Sequence, residues 1–409
     1  MPSSFLQHAS ACTANPRHNS SRIKGGFRSL WGMAAGWGMA WLLGLGATTQ
    51  LPAATIVVST SGTAGAAGTT EAPLGSLGEA AERAQPGDVI ELLGGVYAIA
   101  ATIQLRSSGT EAAPIRIQPA AGGRPLLDFS DAAPGSRGLG SGIAVSGNYW
   151  QIRGLEVIHA PGHGIMVSGS FNHIDRCVCR ENGGSGVHLG SPASHNLVLN
   201  CDAYRNVDRP TQGQNADGFA AKFEIGPGNI FRGCRAWENA DDGFDLWRAP
   251  HPVRLEYCVA FRNGVDLWQI EGFTGNGNGF KLGGDFIAAA HVVIGCVATD
   301  QPRRGFDLNN NSGGVRVESC TATRCGTGFA MNLTPRAGGQ HNLRQCLSFG
   351  GDVRLAEGTV SESCLWLDAD GAEIAPLVLA APGIPYVSRR RPNAVPADYQ
   401  VGLNREALP

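Results

Sequence analysis

Residues 215–247 read NADGFAAKFEIGPGNIFRGCRAWENADDGFDLW. An Asp-Gly-Phe triplet opens the stretch at Asp217 and returns at Asp242, 25 residues later. Between the two triplets lie short runs around Ile230 and Ala236 with the alternation of half-buried strands. A chain that returns to the same element at this interval fits a stack of coils, each laid on the one before.

The pattern extends in both directions. A Gly-led element appears as GIAV at 142, GIMV at 164, GVHL at 186, GFAA at 218, GFDL at 243, GFKL at 279, GFDL at 305 and GFAM at 328, in steps of 22, 22, 32, 25, 36, 26 and 23 residues. A second element follows each time, as in HNLVLNCDA, VRLEYCVAF, HVVIGCVAT and VRVESCTAT. Short strands at this period, with longer insertions between some, predict a parallel β-helix. Leucine-rich repeats share the period but need a regular Leu frame, which is missing. Propeller blades need nearly twice the length.

Cys177, Cys201, Cys234, Cys258, Cys296, Cys320 and Cys346 hold one position in seven consecutive second elements, and Cys364 extends the series. Disulfides are the default reading in an exported chain. One thiol per coil at one place is better explained as an inward ladder of small apolar side chains. Five residues after the first four cysteines stand Asn182, Asn206, Asn239 and Asn263, a spacing that predicts a second ladder of stacked amides in a turn. Upstream, Ser76–Ala84 has the pattern of a short amphipathic helix that covers the apolar end of the stack. Strands around Val89–Leu93 and Ile115–Gln118 are expected to form the first coils.

Composition agrees with a turn-rich β protein. The chain has 58 glycines in 409 residues, 16% charged residues and a net charge of −2. No basic bias points to nucleic acid, so an anionic partner must be held by local charge. Arg17, Arg22, Lys24 and Arg28 precede an apolar run from Leu30 to Ala47 and then small residues, the layout of a secretory signal. The expected organisation is a presequence over 1–54, a β-helix over 55–370 and a Pro- and Ala-rich tail over 371–409. The tail's Arg389, Arg390 and Arg391 read as a solvated patch. The exported chain is expected to be a monomer outside the cytoplasm, with no membrane span after signal cleavage.

Register turns the repeats into a site. With Phe219, Phe244, Phe280 and Phe306 pointing inward, Ala220, Asp245, Lys281 and Asp307 form one outward column. The residues before each Gly, namely Asp217, Asp242, Asn278 and Arg304, form a neighbouring column at the turn. Asp217, Asp241, Asp242 and Asp245 then crowd together, and such carboxylates repel unless a cation joins them. Oxygen ligands in loose geometry favour Ca²⁺ over Zn²⁺. Asp-Gly is also an ordinary turn former, and Lys281 between two acids could be a plain salt-bridge rung. Bound calcium beside Lys281 would suit proton abstraction from C5 of a uronic-acid polymer, with β-elimination of the O4-linked sugar. Lys222, Arg303 and Arg304 are candidates to meet substrate carboxylates.

The motifs NADGFAAKF, GPGNIFRGCRAWENADDGFDLW, CVAFRNG, GNGNGFKLGG and RRGFDLNNN, in this order, resemble the family 9 polysaccharide lyases, typified by a pectate lyase. The resemblance runs continuously over residues 201–311. It implies a right-handed parallel β-helix, Ca²⁺-assisted β-elimination of an acidic polysaccharide and a lysine base. Asp217, Asp241, Asp242 and Asp245 match the family's calcium ligands, and Lys281 matches its base. The loops 206–214 and 264–275 are where substrate preference could diverge. Two rivals remain at this stage. One is a polygalacturonase-like hydrolase using Asp241-Asp242 with the Gly162-His163-Gly164 segment. The other is a passive β-helix braced by calcium.

Overall fold

A computed structural model describes residues 53–133, 140–336, 338–379 and 385–387. The presequence to residue 52 and the tail's Arg389–Arg391 lie outside them. Three sheets, of 12, 12 and 11 strands, run the length of the described chain, and successive coils contribute one short strand to each. One coil shows the plan: Phe219–Ala221 in the site sheet, Ile230–Arg232 in the second, Arg235–Trp237 in the third, then Phe244–Asp245 back in the first. Neighbouring strands pair in parallel and in register, apart from a one-residue shift between Thr327 and Phe329 where Thr327–Met331 meets Asp352–Ala356, and an antiparallel closing pair, Leu377–Leu379 with Pro385–Val387. This is the predicted parallel β-helix. The site sheet thus continues past residue 370, where the repeats are no longer visible in sequence.

Two sharp corners per coil explain the ladders. The second sheet's strand ends on a residue in the left-handed region, such as Asn200 (φ 51°), Gly233 (φ 64°) or Tyr257 (φ 54°), and the next residue is the inward cysteine. After the third sheet's strand comes another, such as Arg205 (φ 53°) or Glu238 (φ 54°), and the next residue is the ladder asparagine. The ten described cysteines are free and buried, so they form no disulfides. Asn182, Asn206 and Asn239 each donate an amide N–H to the next ladder oxygen, at 3.0, 2.8 and 2.9 Å, and Asn263 receives the last of these. Gln301 closes the series by accepting from the Asn263 backbone N–H at 3.1 Å.

A further ladder was not predicted. Asn172, Asn196 and Asn229 link at the opposite corner, with Asn196 Nδ2 donating to Asn229 Oδ1 at 3.1 Å. His291 and His341 take the same place in later coils, each accepting a backbone N–H at Nδ1. Inside, Phe219, Phe244, Phe280, Phe306 and Phe329 stack face to face at 5.0, 4.8, 4.8 and 4.8 Å between centroids.

The capping helix is Leu77–Arg83, with Ser76 Oγ accepting the Glu79 N–H. It buries Leu77, Ala80 and Ala81 against Thr55–Thr63, Val89–Leu92 and Ile103–Leu105. Thr55–Thr63 pairs with Val89–Leu92, so one coil precedes those expected from sequence. Burying that apolar end removes surface that would otherwise favour association.

Candidate active site

The register of the site sheet builds the acidic cluster. Ala220 pairs with Asp245, Asp245 with Lys281, and Lys281 with Asp307, the outward column expected from the alternation. Asp217 and Asp242 stand at the corner before the sheet, where the Gly218 N–H donates to the Asp242 carbonyl at 3.0 Å. The glycine that follows each of them is not there for a positive φ. A Cβ on Gly218 would fall 2.5 Å from the Ala236 Cβ, and one on Gly243 would fall 2.6 Å from the Gly279 carbonyl oxygen. Close packing therefore imposes the glycine of each Asp-Gly-Phe triplet, and a positive φ does not.

Asp217, Asp241, Asp242 and Asp245 are all fully buried, and each offers a carboxylate oxygen within 4.8 Å of the others. Hydrogen bonds orient these carboxylates. Asn276 and Asn278 each give a backbone N–H and a side-chain amide to Oδ1 of Asp241 and Asp242 respectively. The Trp247 N–H donates to Asp245 Oδ1 at 2.8 Å, and Ser185 Oγ donates to Asp217 Oδ2 at 3.0 Å. Asp241 Oδ2 is buried with no partner, and Asp242 Oδ2 has no aligned hydrogen bond although Lys281 Nζ lies 3.2 Å away. Unpaired buried carboxylate oxygens converging on one point fit a hard divalent cation, and the all-oxygen set suits calcium.

Two ammonium groups share the cluster. Lys281 Nζ is 3.2 Å from both Asp242 Oδ2 and Asp245 Oδ2. Lys222 Nζ is 2.8 Å from Asp217 Oδ2 and 2.6 Å from Asp245 Oδ2, with only 7% of its side chain exposed. The sequence makes Lys222 a candidate to meet substrate carboxylates. Burial among acids on its own and the next coil instead engages it with Asp217 and Asp245. Arg303 is exposed and donates to Asn276 Oδ1 at 3.1 Å, while Arg304 pairs with Asp307 at 2.7 Å. The loops 206–214 and 264–275 touch beside the acids, where the Thr274 N–H donates to the Gln212 carbonyl at 2.9 Å.

The charges shift one another strongly. Burial raises the carboxyls of Asp217 and Asp241, and it pushes Asp242 up to about 7 against the pull of Lys281. Asp245 goes the other way: burial would raise it, but Lys222 and Lys281 outweigh that and hold it below the usual range. Burial alone would lower both lysines, yet the acids, Asp245 among the strongest, keep each firmly protonated. His163, the histidine of the hydrolase alternative, accepts the Ser185 N–H at 3.0 Å and packs on the His188 ring at 4.3 Å. Burial lowers it to about 4.

Sequence reasoning missed Asn276 and Ser185, and it placed Asn278 in the turn column without giving it a role. The alternating Asn-Gly-Asn of residues 276–278 carried the signal for the two asparagines.

Residues 56–343 match the family model described as the Pel9A-like, right handed beta helix region. Pectate lyase L of Dickeya dadantii (strain 3937) is 38% identical over 319 residues, covering 76% of this chain and 74% of that protein. The crystal structure of pectate lyase Pel9A superposes with a TM-score of 0.72 at 36% identity, covering 78% of this chain and 81% of that one. A rhamnogalacturonan lyase structure follows with a TM-score of 0.65 at 26% identity, covering 75% and 84%.

Proposed function

The chain belongs to the Pel9A-like family of right-handed β-helix proteins, and from that premise we propose that it is a calcium-dependent polysaccharide lyase acting on pectate. The observation that carries the reading is Lys281 Nζ, 3.2 Å from two of four buried, converging carboxylates. Asp217, Asp241, Asp242 and Asp245 would hold the calcium. Bound there, calcium would draw charge from a substrate C6 carboxylate and so acidify the proton on C5. Lys281 accepts that proton, and the electron pair left behind forms the C4–C5 double bond as the O4-linked sugar leaves. The bare cluster keeps Lys281 protonated. Once the acids' charge is met by a cation, the balance moves toward the neutral amine that the reaction needs.

Arg303 is exposed beside the loop that carries Asn276, which supports a role in meeting a substrate carboxylate. Arg304 shares its guanidinium with Asp307 and would play that role only by giving up part of the pair. A polymeric substrate places the enzyme outside the cytoplasm, in keeping with the secretory pattern of the first 54 residues. Among the described residues no helix is long and apolar enough to cross a membrane.

The test is ultraviolet absorbance of unsaturated product from polygalacturonate, with and without a chelator. A lyase gives absorbance that the chelator removes. Reducing ends without absorbance would indicate hydrolysis, and neither signal would indicate passive binding; both overturn the reading. The likeness to a rhamnogalacturonan lyase makes that backbone the second substrate to run alongside.

A further inference from the structure

Lys222 is a second ammonium in the cluster, and the elimination gives it no task. It reaches the acids from the residue just past the strand Phe219–Ala221, and its Nζ bridges Oδ2 of Asp217 and Oδ2 of Asp245 at 2.8 and 2.6 Å. Those contacts are shorter than either made by Lys281, at 3.2 Å. The two acids sit on successive coils, so the ammonium spans the same gap that a cation held by both would span. Asp241 Oδ2 stays unpartnered beside it. Four carboxylates against two ammonium groups leave two negative charges when all are ionised.

We propose that Lys222 is a built-in counter-ion that competes with the divalent cation for Asp217 and Asp245 and so sets the metal affinity of the site. The inference rests on the calcium reading of the cluster. A unit positive charge this close to two ligands opposes cation entry wherever the ammonium moves afterward. A monovalent ion that displaced it would gain no charge at the acids, whereas a divalent ion gains one unit. The arrangement therefore favours divalent over monovalent ions and keeps calcium affinity below what four buried carboxylates would give alone. Without metal, the same lysine limits repulsion among acids stacked one coil apart.

The test is isothermal titration calorimetry of the full chain with calcium chloride, comparing wild type, Lys222→Met and Lys222→Arg. Lys222→Met is expected to bind calcium about tenfold tighter or more, the scale of effect when a nearby unit charge is withdrawn. Lys222→Arg keeps the charge and is expected to stay near the wild-type affinity. Affinity for Lys222→Met equal to or weaker than wild type overturns the proposal, and so does an equal gain in Lys222→Arg. Absence of calcium binding to wild type is a separate failure, that of the functional reading itself. If Lys222→Met does not fold without metal, calcium should restore its circular dichroism spectrum, because the ion then replaces the missing charge. Failure of calcium to restore it also overturns the proposal.

Discussion

Asn276 holds one oxygen of Asp241 twice, through its backbone N–H at 2.7 Å and its side-chain amide at 2.9 Å, and leaves the other oxygen buried without a partner. Asn278 grips Asp242 Oδ1 the same way at 2.8 and 2.9 Å. Each clamp fixes the carboxylate plane, so both Oδ2 atoms are aimed before any cation arrives. Such outer contacts typically govern metal affinity by about 10- to 100-fold. Replacing both asparagines by alanine keeps the backbone donors and removes the amides. Calcium affinity is expected to fall by about tenfold or more, measured by calorimetry, with the circular dichroism spectrum kept. Unchanged affinity would mean that the amides only fill space.

Lys281 separates base chemistry from metal binding. Lys281→Met removes the nitrogen assigned to take the proton, and turnover should fall by about 10²- to 10⁴-fold, the usual contribution of a general base. It also removes a positive charge 3.2 Å from Asp242 and Asp245. Calcium binding should therefore not weaken. Product absorbance and calorimetry on one preparation decide the matter. Turnover within a few fold of wild type would take the base role away from Lys281.

Much of this site was legible because a β-helix converts sequence period into spatial column. Once the Gly-Phe elements are aligned, the alternation of side chains places Asp245 beside Lys281 without further information, and the pairing follows that register. The direction in which a long side chain folds back is not encoded by period. Lys222 stands one residue past its strand and two past the column residue Ala220, and only the depth of the acid cluster draws its ammonium inward. Asn276 lies in a long insertion between repeats, where no column exists to read, and Asn278 stands in the turn column beside Asp242, but register does not say that its amide grips that acid. The missed ladder differs in kind, since its spacing was available: Asn172, Asn196, Asn229, His291 and His341 each stand five residues before a ladder cysteine. The change from amide to imidazole hid the common function of accepting a backbone N–H at one corner.

The amide ladder should carry measurable stability. Asn239 accepts from both the backbone N–H and the amide of Asn206, at 3.2 and 2.8 Å, and donates to Asn263 and to the Ala203 carbonyl. Asn239→Ala leaves several of these buried groups unpaired at once. An orphaned buried polar group costs about 1–3 kcal/mol, so a loss of about 3 kcal/mol or more is expected in denaturant unfolding. Half-buried Asn148, whose side chain accepts a single backbone N–H from Ser170 at 2.7 Å, offers a control: its alanine variant should cost less. Similar losses at the two positions would argue that the ladder is a by-product of stacking.

The acids also predict an unusual dependence of stability on pH in the metal-free protein. Asp242 is pushed up to about 7 by burial, whereas an unfolded aspartate titrates near about 4. Between those values the native state binds a proton that the unfolded state does not. Stability from this group therefore rises as pH falls through about 7, and the native chain bears the cost of the buried charge above it. Asp245, held low by two ammonium groups, acts in the opposite sense at more acid pH. Asp242→Asn isolates the first effect because its amide stands in for the protonated acid. In chelator, the variant should melt higher than wild type at about pH 8, and the gap should shrink steadily as pH falls and close near about pH 4, where the unfolded carboxyl takes up its own proton. Calcium should cancel the variant's advantage at the higher pH, because the wild-type carboxylate is then held ionised by its ligand. A gap that stays constant across this range would show that burial does not shift Asp242, and the electrostatic account of the cluster would need to be redrawn.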